Sequence, residues 1–386
     1  LNYSQQELVT LRKPITVLSK IPAIKLAGIA FFCLIPLWSW ADFSVRVITD
    51  QLSSPWGMAQ LPDGRFLVTE KRAATLRIVD LQGNISAPVS ALPEVDIVGQ
   101  GGLLDVTLHP QFPEQPTIYL SFTSGDATRG HSTEVVRANL LDIDTAEPRL
   151  TEVKTIFEAQ PKVRGGRHFG GRLLFDRQNF LFISLGDRGQ RAFSQRLDSH
   201  HGSVIRLHDD GRVPIDNPFV NQPGARPEIF TYGHRNVQGM TLHPQTDEVW
   251  IHEHGPQGGD EVNLLQAGKN YGWPVITYGV EYVSGLKIGE GIRKPGMEQP
   301  LHFWDPSIAP SGMAFYRGDL WVGALKYQLL AQLTFKEDLL LKEQRHFQGR
   351  FGRIRDVRNF SDDRQQPALY LLTGASNGQL IRIDYD

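Results

Sequence analysis

The sequence predicts an all-β fold: a six-bladed β-propeller of four-stranded antiparallel blades. Two observations carry that reading. An apolar segment leads into a turn and an alternating strand six times along the chain, at intervals of about 45–70 residues, the period of propeller blades. The chain also carries 37 Gly and 24 Pro in 386 residues, and no long uninterrupted amphipathic helix pattern is evident between these breakers.

The six units justify themselves in order. Met58–Thr69 turns at Pro62-Asp63-Gly64, and Val106–Phe112 leads to Ile118–Phe122. Leu173–Ser184 turns through Asp176–Asn179, and Met240–Ile251 through Pro244–Asp247. Met313–Gly323 turns at Arg317-Gly318, and Val357–Asp363 leads to Leu369–Leu372. Each is a strand, a Pro/Asp/Asn/Gly turn and a second strand rich in aromatic and β-branched residues, which is a hairpin signature. Blades bury their faces against each other, so six units form one domain, residues 42–386. A large β-sandwich with coincidental hairpins is the competing architecture. Closure of a propeller would pair the early strand Phe43–Thr49 with the last strand around Leu380–Ile383.

Residues 1–41 stand apart. Arg12, Lys13, Lys20 and Lys25 precede the apolar run Leu26–Trp38, and Ser39-Trp40-Ala41 follows it. This is the pattern of a cleaved secretory signal, too short for a comfortable membrane span. It predicts a periplasmic or secreted protein with no transmembrane segment in the mature chain. The sole cysteine, Cys33, falls within it, which excludes a disulfide scaffold and a Cys-cluster zinc site. Forty basic against 42 acidic residues exclude binding to nucleic acid driven by bulk charge, and removal of residues 1–41 leaves a net charge of −5. A local basic site remains compatible with that balance.

Propeller ligands sit at the loops around the channel, and four Gly-rich segments are the candidates. Gly99-Gln100-Gly101-Gly102 lets backbone approach a flat ligand while the Gln100 amide hydrogen-bonds in plane. Arg164–Arg172 sets His168 among glycines before a buried strand, where an imidazole can act as a general base. Tyr232–Met240 offers the pair Arg235 and Asn236, suited to a planar or anionic ligand. His252–Asn263, closing with Asn270–Pro274, holds two histidines two apart. Zinc lacks a third ligand of suitable spacing, and the Gly-Pro carbonyls and carboxylates suit an oxygen-liganded cation such as calcium.

These segments, with Gly352-Arg353-Ile354-Arg355-Asp356, carry a resemblance to the soluble pyrroloquinoline quinone (PQQ)-dependent aldose sugar dehydrogenases, which are related to soluble quinoprotein glucose dehydrogenase. It spans about Phe43 to Arg382. The resemblance implies that His168 is the catalytic base and that Gln100, Arg235, Asn236, Tyr282, Lys326, Arg353 and Arg355 contact PQQ. It further implies that Gly255 and Pro256 offer carbonyls to the Ca2+ on the cofactor, and that Glu261 and Tyr271 belong to a second, structural Ca2+ site. The substrate implied is an aldose oxidised at C1 to a lactone, with electrons passed to an unidentified acceptor. The residue types suit those roles: PQQ is a tricarboxylate, and Arg353 and Arg355, two apart on a strand, would point the same way.

In the glucose dehydrogenase branch an Asp precedes the catalytic His, and Arg167 stands here, which alters the expected sugar contacts. Asp187–Gln190 lies near the expected site without an assigned role, and Tyr282–Ile292 is expected to form a loop over the pocket. Two other classes are open: a calcium-dependent propeller hydrolase, lactonase-like or phosphatase, which requires carboxylates clustered on the channel, and a non-catalytic binding propeller.

Overall fold

A computed structural model describes residues 43–361, 364 and 366–385. The expected signal segment lies outside the described residues. Six antiparallel sheets follow one another along the chain. Blade 1 holds strands Pro55–Gln60, Phe66–Glu70 and Thr75–Val79. Blade 2 holds Leu103–Leu108, Thr117–Asp126, Gly130–Leu141 and Arg149–Glu158. Blade 3 holds Leu173–Phe175, Leu181–Ser184, Ser203–Leu207 and Ile229–Tyr232. Blade 4 holds Val237–Leu242, Val249–Glu253, Asp260–Leu264 and His302–Trp304. Blade 5 holds Pro310–Tyr316, Asp319–Ala324, Leu330–Lys336 and Leu339–His346. Blade 6 holds Ile354–Ser361, Pro367–Thr373 and Gly378–Tyr385, with Phe43–Leu52 as its outermost strand.

The predicted six-bladed propeller is therefore the observed fold. Blade 1 departs in one detail: its fourth strand is reduced to the bridge Val79–Ile85. Each predicted hairpin is the first two strands of a blade. The first strands of consecutive blades touch around a closed ring, from blade 1 through blade 6 and back. The ring closes as predicted, with Phe43 opposite Tyr385, Val45 opposite Ile383 and Val47 opposite Ile381. Among the described residues the one helical segment is a short 3-10 turn, Arg191–Gln195, and no helix is long and apolar enough to cross a membrane.

Period-two alternation builds the core. Leu67 faces blade 2 and packs with Leu103, Ile118 and Leu120. Its neighbours Phe66 and Val68 face blade 6 and pack with Tyr370 and Leu372. Trp321 joins blade 6, whereas Leu320 and Val322 join blade 4. The middle strands are thus apolar on both faces, which explains why Leu369–Leu372 reads as a continuous apolar run. Full burial of each such side chain contributes about 1.5–3 kcal/mol.

On the ring axis the inner strands carry charge instead. Arg172, Asp105 and Asp356 are buried to 2%, 0% and 1% exposure. Arg172 pairs with Asp356 at 2.9 Å. Arg358 binds both Asp105 oxygens, at 2.9 and 3.0 Å, and Asp356 at 3.0 Å. Two cations and two anions thus balance where strands of blades 2, 3 and 6 converge. A Cβ on Gly57 of blade 1 would collide with the Asp105 carboxylate, so glycine is required there. The cluster also anchors polar backbone: Leu173 N–H donates to Asp105 (3.0 Å), and Arg172 donates to the carbonyls of Gln238 (2.8 Å) and Arg355 (3.1 Å).

Candidate active site

The N-terminal ends of the six inner strands meet at one mouth of the ring, and a cavity of about 260 Å³ opens there. Every blade contributes to its wall: Trp56, Gln100, Phe169, Asn236, Ala309 and Arg355 come from blades 1 to 6 in turn. This follows from the topology, because every inner strand is entered from the same end.

His168 stands at the entry to blade 3, 9% exposed and in the left-handed region at φ 56°. That conformation costs a non-glycine residue about 1–3 kcal/mol and requires its surroundings to hold it. They do. His168 N–H donates to Gln100 Oε1 at 2.8 Å, and its carbonyl accepts from Arg188 N–H at 3.3 Å. A Cβ on Gly186 would collide with that same carbonyl oxygen. Because the Gln100 oxygen is committed to a backbone donor, its NH2 is the half left to serve a ligand.

The imidazole Nδ1 lies 2.6 Å from Asp187 Oδ1. The same oxygen accepts from Gly189 N–H at 2.6 Å, and Oδ2 accepts from the Trp273 indole at 2.8 Å. Burial alone would raise the Asp187 carboxyl, but the His168 hydrogen bond and the charges of His168 and Arg235 hold it below the usual carboxylate range. Burial pushes His168 below its ordinary value; Asp187 opposes that shift, and Arg235 and Arg167 add to it. Asp187 is therefore ionised and accepts the Nδ1 proton, so neutral His168 presents its lone pair on Nε2. Asp187, left unassigned by sequence reasoning, thus fixes the orientation and tautomer of the His168 ring.

Asn236 Oδ1 accepts from Gly170 N–H at 3.2 Å, and its side chain lines the cavity. Arg235 donates to the His254 carbonyl at 3.1 Å and lies 5.4 Å over the Trp273 ring. His254 is pushed down to about 3, first by burial, so it is neutral, and its Nε2 donates to the Pro310 carbonyl at 2.5 Å.

Arg353 and Arg355 both line the cavity, Arg355 from the first strand of blade 6 and Arg353 from the residue just before that strand. Burial and then the like charges of Arg172 and Arg353 push Arg355 down to about 9, so it stays protonated at neutral pH. Sequence reasoning missed Trp56, Lys71 and Arg72 and gave no cofactor contact to Gln238 or His254; all five line the wall. Three expected contacts lie elsewhere. Arg235 lines a second cavity rather than this one. Lys326 is exposed, with its Nζ 5.0 Å over the Tyr327 ring, while its neighbour Leu325 lines the cavity. Tyr282 is 57% exposed on a loop that the Arg191–Glu281 ion pair ties to the 3-10 turn.

A second, smaller cavity is lined by Arg235, Glu253, Gly255, Glu261 and Tyr271, among others. Burial and then the charge of Glu253 push the Glu261 carboxyl up to about 8. Glu253 is committed to His234 Nδ1 at 2.8 Å and Arg235 N–H at 2.5 Å. Glu261 has one weak donor, Asn263 Nδ2 at 3.2 Å. A half-buried carboxyl so poorly compensated fits an oxygen-seeking cation. The Tyr271 hydroxyl donates to the Leu264 carbonyl and accepts from Gln266 N–H at 2.9 Å, so Tyr271 could serve a cation through its carbonyl. No cluster of three His, Cys, Asp or Glu side chains suited to a metal occurs among the described residues; a site here must draw on backbone oxygens.

With this geometry established, comparison with known proteins is decisive. The profile of the glucose/sorbosone dehydrogenase family matches residues 52–382. This chain belongs to that family. Its relatives include the aldose sugar dehydrogenase YliI of Escherichia coli, 42% identical over 359 residues that cover 90% of this chain and 94% of that protein. The crystal structure of the soluble aldose sugar dehydrogenase of E. coli, in the apo form, superposes with a TM-score of 0.84 at 41% identity, covering 89% of this chain and all of that one. The PQQ-bound aldose sugar dehydrogenase of Streptomyces coelicolor gives a TM-score of 0.75 at 29% identity, covering 90% of this chain and 99% of that one. Within the family, the mouth of the channel described above is the natural place to seek the chemistry.

Proposed function

We propose that this protein is an exported quinoprotein that oxidises aldose sugars at C1 to lactones with PQQ and calcium. The observation that carries the reading is a cavity rich in unneutralised cations beside an oriented, neutral histidine. Lys71, Arg72, Arg353 and Arg355 line it and fit a tricarboxylate. PQQ, when bound, supplies the two-electron acceptor for a hydride.

The chain's own residues do the rest. His168 Nε2 takes the proton of the anomeric hydroxyl as the C1 hydride departs, and the charge developing on the ring is stabilised by Asp187. General-base assistance of this kind contributes about 10²–10⁴-fold. Gln100 and Asn236 offer in-plane amide groups to a flat ligand. Arg353 and Arg355 hold carboxylates. We assign Gly255 and Pro256 carbonyls to the cofactor's calcium, and Glu261 with the Tyr271 carbonyl to a structural one. Lys326 and Tyr282 would act at the rim rather than in the wall. Residues 1–41 would direct export and be removed.

The hydrolase alternative loses support from the channel itself. Its buried carboxylates, Asp105 and Asp356, are consumed by Arg172 and Arg358. The test is binding: PQQ should raise the thermal midpoint of the metal-loaded chain, because a ligand of the folded state alone must do so. An unchanged midpoint at saturating PQQ would reject the quinoprotein reading.

A further inference from the structure

Lys71 and Arg72 lie on the turn between strands Phe66–Glu70 and Thr75–Val79 of blade 1. In the fold they line the main cavity and continue into an adjoining chamber of about 190 Å³. The rest of its wall is Ser54, Pro55, Trp56, Arg353, Arg355 and Gly374. The chamber thus lies between blades 1 and 6, across the ring from the blade 3 segment that carries His168.

Its electrostatics are one-sided. The charged groups acting on Lys71 are Arg355, Arg72 and Arg353, all positive. Burial first, and then these three, push the Lys71 amine down to about 8. The adjacent Glu70 is turned away: it accepts from Ser53 N–H and the Thr75 hydroxyl, each at 2.6 Å, and from Arg77 Nε at 3.1 Å. Asp356 is held by Arg172 and Arg358. The Lys71 backbone is fixed, its N–H donating to the Ser54 carbonyl at 3.1 Å and its carbonyl accepting from Leu103 N–H at 3.2 Å. Four cations converging on a half-enclosed chamber without a facing carboxylate form a ready anion site.

We infer that Lys71 and Arg72, with Arg353 and Arg355, form a carboxylate-binding subsite between blades 1 and 6 that holds the end of the cofactor remote from His168. The identity of the ligand rests on the quinoprotein reading; the subsite rests on charge and shape.

The experiment is equilibrium binding of PQQ to the calcium-loaded chain, followed by calorimetry from pH 6 to pH 8.5, below the value of about 9 to which Arg355 is pushed, with Lys71→Met, Lys71→Arg and Arg72→Gln compared. Loss of one charge-assisted contact weakens binding roughly tenfold at pH 7 in Lys71→Met and in Arg72→Gln. Wild-type affinity declines as pH rises through about 8, because the free amine loses its proton there. Lys71→Met is flat in that window, and Lys71→Arg restores affinity without the decline. A second readout separates binding from scaffolding. Without ligand, Lys71→Met melts no lower than wild type at pH 7, because it removes a half-buried charge repelled by its neighbours; a purely structural lysine would leave a destabilised chain. Wild-type binding matched in strength and pH profile by both Lys71→Met and Arg72→Gln would overturn the subsite while leaving the quinoprotein reading intact. No PQQ binding by wild type at any pH would overturn both.

Discussion

Asp187 Oδ1 lies 2.6 Å from His168 Nδ1, and the two residues reach each other from opposite sides of the blade 3 hairpin. The contact fixes which ring nitrogen is free. It predicts that Asp187→Asn lowers kcat/KM by roughly 10²-fold, part of the worth of a general base. Asp187 also opposes the downward shift of His168. Its removal therefore moves the acid limb of the pH–kcat/KM profile to still lower pH, an effect that a loss of packing alone would not produce.

The wild-type acid limb is itself predictable. Burial holds His168 below its ordinary value, so the base is deprotonated throughout the neutral range. The rate should be flat near pH 7 and fall as pH drops below about 6.5, the ordinary histidine value. A limb centred above that value would show that another group is titrating.

The ion cluster on the axis makes a stability prediction. Asp356→Asn leaves buried Arg172 and Arg358 short of one counter-charge, and breaking such a buried network costs about 3–5 kcal/mol. Denaturant unfolding measures this directly. A neutral outcome would mean that Asp105 alone balances both guanidinium groups.

The interblade core offers a sharper contrast. Leu67 is fully buried between blades 1 and 2, whereas Leu339 is 66% exposed. Leu67→Ala should cost about 2–5 kcal/mol, and Leu339→Ala less than about 0.5 kcal/mol. Equal effects would contradict the assignment of alternate residues to alternate faces.

Much of this was legible in the sequence for a local reason. A hairpin such as Met240–Ile251 announces itself through neighbouring residues, and so does a Gly-rich approach to an inner strand. The closure of Phe43–Thr49 onto the last strand was inferred from the propeller architecture, which needs its ends joined. The convergence of Lys71, Arg72 and Gln238 was not legible, because ring closure alone brings the blade 1 turn and the first strand of blade 4 to Arg355. Asp187 was placed near the site but given no role for a related reason: nothing in Asp187-Arg188-Gly189 announces that His168, Gly189 and Trp273 all converge on its carboxylate. Tyr282 and Lys326 came from resemblance alone, and the side-chain placements put both outside the cavity wall.

Calcium should act on stability as well as on chemistry. Chelation should lower the thermal midpoint, and added calcium should restore it. Glu261→Gln, which removes a carboxyl that a bound cation would ionise, should shrink that calcium-dependent rise. A midpoint insensitive to chelator would remove Glu261 from any metal site.

The central claim is tested most directly by reconstitution. The metal-stripped chain is given PQQ with and without calcium, and aldose-dependent reduction of an artificial dye is followed. His168→Asn is the control, because asparagine tolerates the left-handed backbone at that position while removing the imidazole. The account predicts turnover that needs both additions and that falls by about 10²–10⁴-fold in the variant. Turnover unaffected by the variant, or none with any aldose, would contradict it.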